Sequence, residues 1–467
     1  MNKYIGLNTQ YVRNFLKFDK NLNLLLKNKN FNNNIPKISK IQDKIQSFYQ
    51  DKYVQPFIAY DAQGPWIKTL ESNYIYDAGG YGMLGFGHNN DKIMNALSKR
   101  QVMANIMTPN LIHKKFTDKL SEEIGNKRGF NPYHKFMCLN SGSEANSLAL
   151  TIANIHNHSN PCIINIKNSF HGRTEGPANI SDSLKPTYKK HLQRFNNNLE
   201  VYNVDYNDTE QLDFTYKHLI KNNRFVELIA MEPVMGEGNP GVQINPDFYK
   251  KARDLTKEYN SLLFIDSVQA GIRCTGQLSI VDYHGIDNYD APDLETYSKA
   301  INGGQYPLSV LALSEKASNL FQIGLYGNTM TANPRALEVA ISVLDMVDNK
   351  LKDKIFHHGY YLKSKFEQLE KKYPFVNNVT GTGLLLAIHM NKILPIDKIE
   401  YDLRCLGLNV IHGGENALRF TPWFLINKQE CDLIIKILDD YFDSRIFFYF
   451  IFFIHSINNI FNNFLMT

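Results

Sequence analysis

Short apolar runs and helical repeats of apolar residues alternate through the middle of the chain. Apolar residues three and four positions apart predict helices, among them Asp91–Met103, Glu144–Ile155 and Lys428–Asp443. Runs bounded by polar or turn residues predict strands at His134–Leu139, Cys162–Ile166, Leu199–Val204, Phe225–Met231, Leu262–Ile265 and Leu308–Leu313. Strands that alternate with helices form a mostly parallel sheet covered by helices on both faces, so we predict an α/β fold.

Residues suited to chemistry follow several of the predicted strands. Ligands of parallel sheets bind beyond the carboxyl ends of the strands, because the loops after those strands meet there. Five groups fall in such loops: Ser141–Ser143, Phe170–Arg173, Glu232–Glu237, Asp266–Gln269 and Lys299. We therefore expect the functional site at this edge of the sheet.

Lys299 is the first catalytic candidate. It closes the strand-like run Asp293–Ser298 and precedes Ala300–Gly304, whose two glycines let a ligand come close. An amine held at a strand end suits covalent bonding to an aldehyde. Most lysines are solvated surface charges, so the residue predicts little when taken alone.

Asp266 ends a second apolar strand, Leu262–Ile265. A carboxylate in this place can keep a pyridine nitrogen protonated, which makes the ring a stronger electron acceptor. A strand-terminal aspartate is more often a turn or helix cap. The lysine and the aspartate together predict pyridoxal phosphate as the cofactor.

The segment Asn140–Asn146 has hydroxyls and a glycine where a strand gives way to a helix. Backbone N–H groups and the helix dipole at such a point favour a phosphate. An ordinary serine cap with Glu144 in the first turn explains the segment equally well. Phe170 and Val268 are apolar candidates for the two faces of a planar cofactor, although core packing is the default for both.

The composition narrows the class of protein. With 467 residues, 43% hydrophobic and 21% charged, the chain is long enough for two or three ordinary folded units. A formal charge of +5 is small for this length and does not predict nucleic-acid binding. Five scattered cysteines without a C-x-x-C pair argue against disulfides and a thiolate metal site. We predict a reducing compartment and no metal.

Both chain ends differ from the rest. Residues 1–40 contain eight basic residues and one acid. This composition is typical either of a mitochondrial transit segment or of an Asn-rich leader without a targeting signal. The tail 445–467 contains the apolar run Ile446–Ile454, shorter than the ~20 residues that a membrane-spanning helix needs. We interpret the tail as lying outside the folded domains, with an interfacial anchor as the alternative.

The run Gly80–Gly85 satisfies the G-x-G-x-x-G dinucleotide pattern. That fingerprint requires a helix to start there and an acid about 20 residues further on. The stretch Leu97–Asn110 contains no Asp or Glu, so we reject a dinucleotide site.

Seven segments occur in a fixed order along the chain: Asn140–Asn146, Ser169–Thr174, Glu232–Gly238, Asp266–Gly271, Lys299, Asn328–Pro334 and Leu418–Pro422. Taken in this order, they resemble the class III (omega) aminotransferases of the fold type I pyridoxal phosphate enzymes. This family includes acetylornithine, ornithine and 4-aminobutyrate aminotransferases. The resemblance covers roughly residues 53–444, and both ends lie outside it.

The resemblance implies roles in cofactor binding. Lys299 bonds the cofactor covalently and then moves the proton between the substrate α-carbon and the cofactor, while Asp266 pairs with the pyridine nitrogen. Gln269 bonds the ring hydroxyl, and Phe170 and Val268 lie against the ring faces. The remaining expected cofactor-binding residues are Ser141, Gly142, Ser143, His171 and Thr329. Of these, Gly142 and Ser143 bind the phosphate, and Thr329 reaches the phosphate of a neighbouring subunit, so a homodimer with shared sites is expected.

The resemblance also implies a substrate site. Arg419 takes a substrate carboxylate, and Glu237 pairs with that arginine when an ω-amino substrate is bound. Arg173 corresponds to a second carboxylate-binding arginine. Tyr81 falls where ornithine aminotransferases have a tyrosine that shapes substrate fit, and Glu232 is expected in the same site.

The expected domain organisation has a large domain and a smaller αβ domain built from both chain ends. The regions are 1–50, a leader; 51–104, an N-terminal segment of the small domain; 105–345, the large cofactor-binding domain; 346–444, the C-terminal small domain; and 445–467, the tail.

The expected function is transamination from an ω-amino acid or acetylornithine to a 2-oxo acid such as 2-oxoglutarate. An aminomutase, an oxoamine synthase and a non-catalytic relative are the alternatives. We expect small-molecule substrates, no nucleic acid and no membrane span, in the cytoplasm or the mitochondrial matrix.

Two departures from the family pattern concern the loop after Asp266. The acid that usually follows this aspartate is Ser267 here, and the usual Arg-Thr-Gly is displaced as Arg273-Cys-Thr-Gly276. Neither departure removes a catalytic group. Both weaken the inference of a particular substrate from the family.

Overall fold

The computed structural model describes residues 55–103, 106–155, 159–192 and 199–464, with the backbone alone for 447–464. The expectation for the leader 1–50 lies outside these residues.

The strands are β1 (Ala59–Gln63), β2 (Trp66–Thr69), β3 (Tyr74–Asp77), β4 (Lys135–Leu139), β5 (Pro161–Ile166), β6 (Val201–Val204), β7 (Phe225–Met231), β8 (Leu262–Asp266), β9 (Leu294–Tyr297), β10 (Ser309–Leu313), β11 (Val376–Thr382), β12 (Leu385–Met390), β13 (Leu408–Asn409), β14 (Ile411–Gly413) and β15 (Ala417–Phe420). The α-helices are α1 (Asp91–Ser98), α2 (Leu111–Glu123), α3 (Gly142–Ile155), α4 (Glu175–Ile180), α5 (Lys185–His191), α6 (Thr209–Lys221), α7 (Pro246–Glu258), α8 (Glu315–Leu320), α9 (Pro334–Leu344), α10 (Asn349–Lys372), α11 (Ile396–Cys405) and α12 (Lys428–Phe464).

Seven strands form the central sheet in the order β4-β10-β9-β8-β7-β5-β6. Neighbours from β9 to β6 are parallel, and β10 is antiparallel to both β9 and β4. The prediction of a mostly parallel sheet is confirmed. Because β8 and β9 are adjacent and parallel, with Asp266 opposite Thr296, the segments that follow them start side by side.

Alternate residues of β8 pack on opposite faces of this sheet. Leu262 and Phe264 join the core formed with α3, whereas Leu263 and Ile265 join the core formed with α6, α7 and α9. All four side chains are fully buried. Burial on both faces explains why the strand is continuously apolar instead of alternating.

Two four-stranded sheets lie beside the central one, in the orders β1-β2-β3-β13 and β11-β12-β15-β14. Strand β13 pairs in parallel with β3, with Leu408 opposite Tyr76. This pairing joins a C-terminal segment to the N-terminal strands. The predicted smaller αβ unit from both chain ends is confirmed.

Helix α1 ends at Ser98, earlier than the predicted Met103. Lys99 is extended at the end of the helix, and the side chain of Arg335 donates to the carbonyl of Leu97. The last carbonyls therefore have a tertiary partner in place of another helical turn.

Helix α12 was predicted to end at Asp443, and this was wrong, because the helix continues to Phe464. Arg445 donates to Asp402 Oδ2 at 2.8 Å, and Ile446 packs against the main core. The first two residues of the predicted tail thus belong to the packed structure. Among the described residues, no helix is long and apolar enough to cross a membrane.

Candidate active site

A cavity of about 390 Å³ opens where strands β4, β5, β7, β8 and β9 end. Eleven of the predicted site residues line it: Ser141, Gly142, Ser143, Phe170, His171, Glu232, Glu237, Asp266, Val268, Gln269 and Lys299. The expected meeting of the strand ends therefore takes place. Met83, Asn146 and Tyr306 also line the cavity, although they were not predicted as site residues.

Lys299 begins a short 3₁₀ turn directly after β9, with φ of 44°. Positive φ is uncommon for a residue with a side chain and is often found at functional sites. Its Nζ donates to Gln269 Oε1. Burial and then the charge of Arg419 lower the pKa of Lys299 to about 8, against the opposing effect of Glu237. A larger fraction of this amine is therefore neutral and nucleophilic near pH 7 than for an ordinary lysine.

Asp266 is buried at the end of β8, with 4% of its surface exposed. Its Oδ2 accepts from Asn146 Nδ2 at 2.8 Å and lies 2.9 Å from His171 Nδ1. Its Oδ1 accepts from the amide of Val268 at 3.1 Å. His171 is in turn held by Asn165 Oδ1, 3.2 Å from its Nε2. The carboxylate is therefore fixed in one orientation by groups from three different segments.

Helix α3 begins at the cavity wall with Gly142. A Cβ on Gly142 would lie 3.0 Å from Val268, so glycine permits the close approach of helix and loop. Ser143 Oγ accepts from the Arg173 amide at 3.3 Å. Ser141 Oγ accepts from the Glu144 amide at 3.2 Å, so the serine does act as a helix cap. Ser141, Gly142 and Ser143 all line the cavity, so the N-terminus of α3, where an anion is favoured, lies at the cavity wall.

Glu237 and Arg419 form an ion pair beside the cavity. Arg419 lies on β15 and is 1% exposed, and its Nη1 also donates to the Gly236 carbonyl. Burial acts to raise the pKa of Glu237, but the charges of Arg419 and Lys299 outweigh it and hold the pKa below its usual value. The pair places a buried guanidinium, already paired with a carboxylate, close enough to the candidate catalytic lysine to affect its pKa.

Glu232 joins two loops of the site. One of its oxygens accepts from the Phe170 amide at 3.1 Å, and the other from the Gly236 amide at 2.9 Å. Burial raises the pKa of Glu232 to about 7, against the opposing charge of His171. The structure thus connects the segments that carry Phe170 and Glu237 through one side chain.

Four predicted residues lie outside the cavity lining. One is Arg419, which pairs with Glu237 as described above. The guanidinium of Arg173 lies 5.6 Å from the centre of the Phe170 ring, at the edge of the site. Tyr81 is 44% exposed with φ of 47°, next to Gly82. Thr329 is exposed. The predicted contacts of these four residues with substrate or cofactor, like those of the eleven residues that line the cavity, stay predictions.

Sequence reasoning missed the hydrogen bond of Asn146 to Asp266. Asn146 is four positions after Gly142, hence on the same face of α3, and that spacing was the available signal. Ser267 stands where the family usually has an acid, and its hydroxyl donates to Glu295 Oε1 at 2.5 Å. A carboxylate from the neighbouring strand therefore contacts the position where the family usually has an acid.

The sequence matches the family described as Aminotransferase class-III over residues 48–442. Acetylornithine aminotransferase of Methanocaldococcus jannaschii is 28% identical over 395 residues, covering 83% of this chain and 94% of that protein. Ornithine aminotransferase 2 of Staphylococcus saprophyticus is 29% identical over 392 residues, covering 81% of this chain and 92% of that protein.

Solved structures share the fold. The ornithine aminotransferase of Toxoplasma gondii superimposes with a TM-score of 0.74 at 22% identity, covering 87% of this chain and 97% of that chain. A second structure of that enzyme is described as showing partial occupancy of PLP at its active site. An S-selective transaminase from Arthrobacter has a TM-score of 0.75 at 19% identity, covering 88% of this chain and 99% of that chain.

Proposed function

This chain belongs to the class III aminotransferase family and is a transaminase, and we propose that it moves an amino group from an ω-amino acid or acetylornithine-like donor to a 2-oxo acid such as 2-oxoglutarate. The observation that carries this proposal is the Glu237–Arg419 pair beside Lys299. Such a pair suits alternating substrates, one with a carboxylate for the arginine and one without. The family favours transamination over the aminomutase and oxoamine synthase alternatives.

We propose pyridoxal phosphate as the cofactor, and the residues of the cavity fit it. Asn146 Oδ1 and Gln269 Nε2 are buried polar atoms without a hydrogen-bond partner in the described part of the chain. Gly142 lines the cavity at the start of α3, and the start of a helix favours a phosphate. Asp266 supplies a fixed carboxylate for a ring nitrogen. The donor set therefore matches a phosphorylated pyridine.

When bound, pyridoxal phosphate supplies an aldehyde for covalent attachment and a ring that accepts electrons from the substrate α-carbon. Lys299 Nζ would hold the cofactor, and when free it would hold and move a substrate proton. The lowered pKa of Lys299, about 8, suits both tasks, because the amine can lose and regain a proton near neutral pH. Asp266 would stabilise positive charge on the ring nitrogen.

Substrate recognition follows from the charges at the cavity wall. A planar guanidinium suits bidentate binding of a carboxylate, so Arg419 takes the α-carboxylate of glutamate or 2-oxoglutarate after Glu237 moves away. With a donor that presents a terminal amine, Glu237 remains on Arg419 and keeps the buried charge paired. Arg173 lies beside the Phe170 ring at the edge of the site and would bind a second carboxylate. Tyr81 would influence which amino donors fit the substrate site.

We propose that two copies of the chain form a dimer with shared sites. Asn328, next to Thr329, donates to Glu144 Oε1 at 2.6 Å, so the loop that carries Thr329 is fixed to the start of α3. Large apolar side chains are exposed along this loop and along the segment before α2. They are Val102, Met103, Ile106, Met107, Leu111, Ile323, Leu325 and Met330. Exposed apolar residues in such number favour a protein partner, and a second copy would accept Thr329.

We also propose the five-region division given above, with the start of the tail moved from residue 445 to residue 447 because Arg445 and Ile446 are packed. We propose a location in the cytoplasm or mitochondrial matrix. All five cysteines are free, which suits a reducing compartment.

A donor panel tests the proposed function. The purified full-length chain is supplied with pyridoxal phosphate and 2-oxoglutarate, then with ornithine, acetylornithine, 4-aminobutyrate or alanine, and glutamate is measured. We expect glutamate from one or more terminal-amine donors and less from alanine. Glutamate from alanine alone would contradict the assignment of ω-amino donors.

A further inference from the structure

Arg273 is fully buried, and its hydrogen bonds all go to main-chain carbonyls. Its Nε and Nη2 donate to the Gly82 carbonyl at 3.4 and 3.3 Å. Its Nη1 donates to the carbonyls of Leu384 at 3.2 Å and Pro422 at 2.5 Å. The guanidinium also lies 4.9 Å from the centre of the Phe424 ring. Within the described residues it forms no ion pair with a carboxylate.

The location of this cation is unfavourable for stability. Burial, followed by the charge of Arg419, lowers the pKa of Arg273 to about 10, which reflects the cost of placing a charge there. The preceding residue, Ile272, is buried with φ of 64°, a conformation that is strained for a β-branched side chain. Two unfavourable features at adjacent residues indicate that the position serves function.

One of the three carbonyls connects Arg273 to the catalytic lysine. A Cβ on Gly82 would lie 2.7 Å from Gln269 Oε1, so the Gly82 backbone packs directly against the Gln269 amide. The same Gln269 oxygen accepts the hydrogen bond from Lys299 Nζ. By holding the Gly82 carbonyl, Arg273 keeps this loop against the residue that orients the amine.

The other two carbonyls connect Arg273 to the substrate arginine. Pro422 is three residues after Arg419, just beyond β15. Leu384 precedes β12, whose Ala387 pairs with Arg419. The guanidinium therefore holds both sides of the strand pair that carries Arg419.

We propose that Arg273 is a positioning residue of the transaminase reaction, which fixes the Gly82 loop and the Arg419 strand relative to Gln269 and Lys299. It thereby sets the distance between the amine that reacts and the group that takes the substrate carboxylate. The proposal rests on the proposed function, because it assumes that Arg419 binds that carboxylate.

Arg273→Lys in the full-length protein tests it. Lysine keeps the positive charge but lacks the planar guanidinium group. Its single nitrogen therefore cannot reach the carbonyls of Gly82, Leu384 and Pro422 together. A misplacement of about 1 Å at a reacting centre can cost roughly a hundredfold in rate. We expect kcat/KM for the glutamate half-reaction to fall at least about tenfold, with Lys299 still trapped on pyridoxal phosphate by borohydride.

The second measurement is amide hydrogen exchange of the protein without cofactor, which needs no turnover. We expect faster exchange in residues 79–85 and 383–385 of Arg273→Lys. Arg128→Lys is the matched control, because Arg128 also donates its Nε and Nη2 to one carbonyl, that of Val281, at 3.3 and 2.9 Å. It should match wild type in both measurements.

Unchanged exchange together with a kcat/KM within twofold of wild type would overturn the proposal. If Arg273→Lys does not fold, Thr421→Val replaces it, because the Thr421 hydroxyl accepts from the Gly82 amide at 3.2 Å. Faster amide exchange in residues 79–85 of Thr421→Val, together with a lower kcat/KM for glutamate, would then support the proposal. A kcat/KM for glutamate equal to that of wild type would refute it. A wild-type protein that forms no glutamate from any donor would instead refute the proposed function.

Discussion

Asn146 Nδ2 donates to Asp266 Oδ2 at 2.8 Å, and His171 Nδ1 lies 2.9 Å from the same oxygen. One carboxylate oxygen thus contacts two side chains, while the other accepts from the Val268 amide. The orientation of Asp266 is therefore set before any ligand binds, which favours tight binding of a ring that needs a carboxylate in this place.

Asn146→Leu should weaken the binding of pyridoxal phosphate. The substitution keeps the size of the side chain but removes a hydrogen bond to a charged acceptor, which contributes about 1.5–3 kcal/mol. We expect the dissociation constant to rise about 10–100-fold in an absorbance titration. Ser147→Ala, one residue further along α3, is the control and should bind as wild type does. Equal affinity of the two variants would show that Asn146 does not support Asp266.

Lys299→Ala should lose the covalent link to pyridoxal phosphate and all turnover. The prediction follows from the position of its Nζ in the cavity beside Gln269. Borohydride reduction and peptide mass spectrometry should find the cofactor on Lys299 in wild type and on no residue of the variant. Lys316→Ala is a suitable control, since burial also lowers the pKa of Lys316 but its Nζ donates to the carbonyls of Asn260 and Ser261. Retention of a reducible link in Lys299→Ala would place the attachment elsewhere.

The rate of cofactor attachment should depend on pH with a midpoint near the Lys299 pKa of about 8. Only the neutral amine attacks an aldehyde, so the rate rises with pH through this value and levels off above it. Glu237 raises this pKa, and Glu237→Gln should therefore move the midpoint to lower pH. Stopped-flow absorbance of the cofactor-free protein measures this. Glu367→Gln, on the exposed face of α10, should leave the midpoint in place, and an equal shift in both variants would exclude a specific effect of Glu237.

Much of the site was predictable because parallel strands place their carboxyl ends together. The strand Phe225–Met231 has the predicted bounds. Asp266 and Lys299 lie at the carboxyl ends of strands as expected, and these strands prove to be neighbours. The bonds made by Arg273 were not predictable, because they depend on carbonyls far away in the chain, such as that of Pro422. Nor does local periodicity reveal pairings such as that of β13 with β3.

Arg419→Ala and Glu237→Ala should affect the two half-reactions differently. Loss of a charge-assisted contact costs about 1.5–3 kcal/mol, so Arg419→Ala should lower kcat/KM for glutamate and 2-oxoglutarate at least about tenfold. Glu237→Ala leaves Arg419 unmasked, which should improve α-amino donors and harm terminal-amine donors. Single-turnover half-reactions with glutamate and with ornithine measure the two effects separately. The same loss for both donors in both variants would leave Arg419 with a structural role only.

Truncation of the last helix should separate its packed part from the rest. Removal of residues 447–467 should preserve activity and melting temperature, because the contacts of Arg445 and Ile446 remain. Removal of 445–467 also deletes the Arg445–Asp402 ion pair and the packing of Ile446, and should destabilise the protein by about 1–2 kcal/mol. Thermal unfolding of both truncations, with Arg445→Gln as the single-residue comparison, distinguishes these outcomes. Equal stability of the two truncations would show that the packed structure ends at Ser444. If the full-length protein is recovered with membranes and the protein without residues 447–467 is not, the interfacial anchor would be supported.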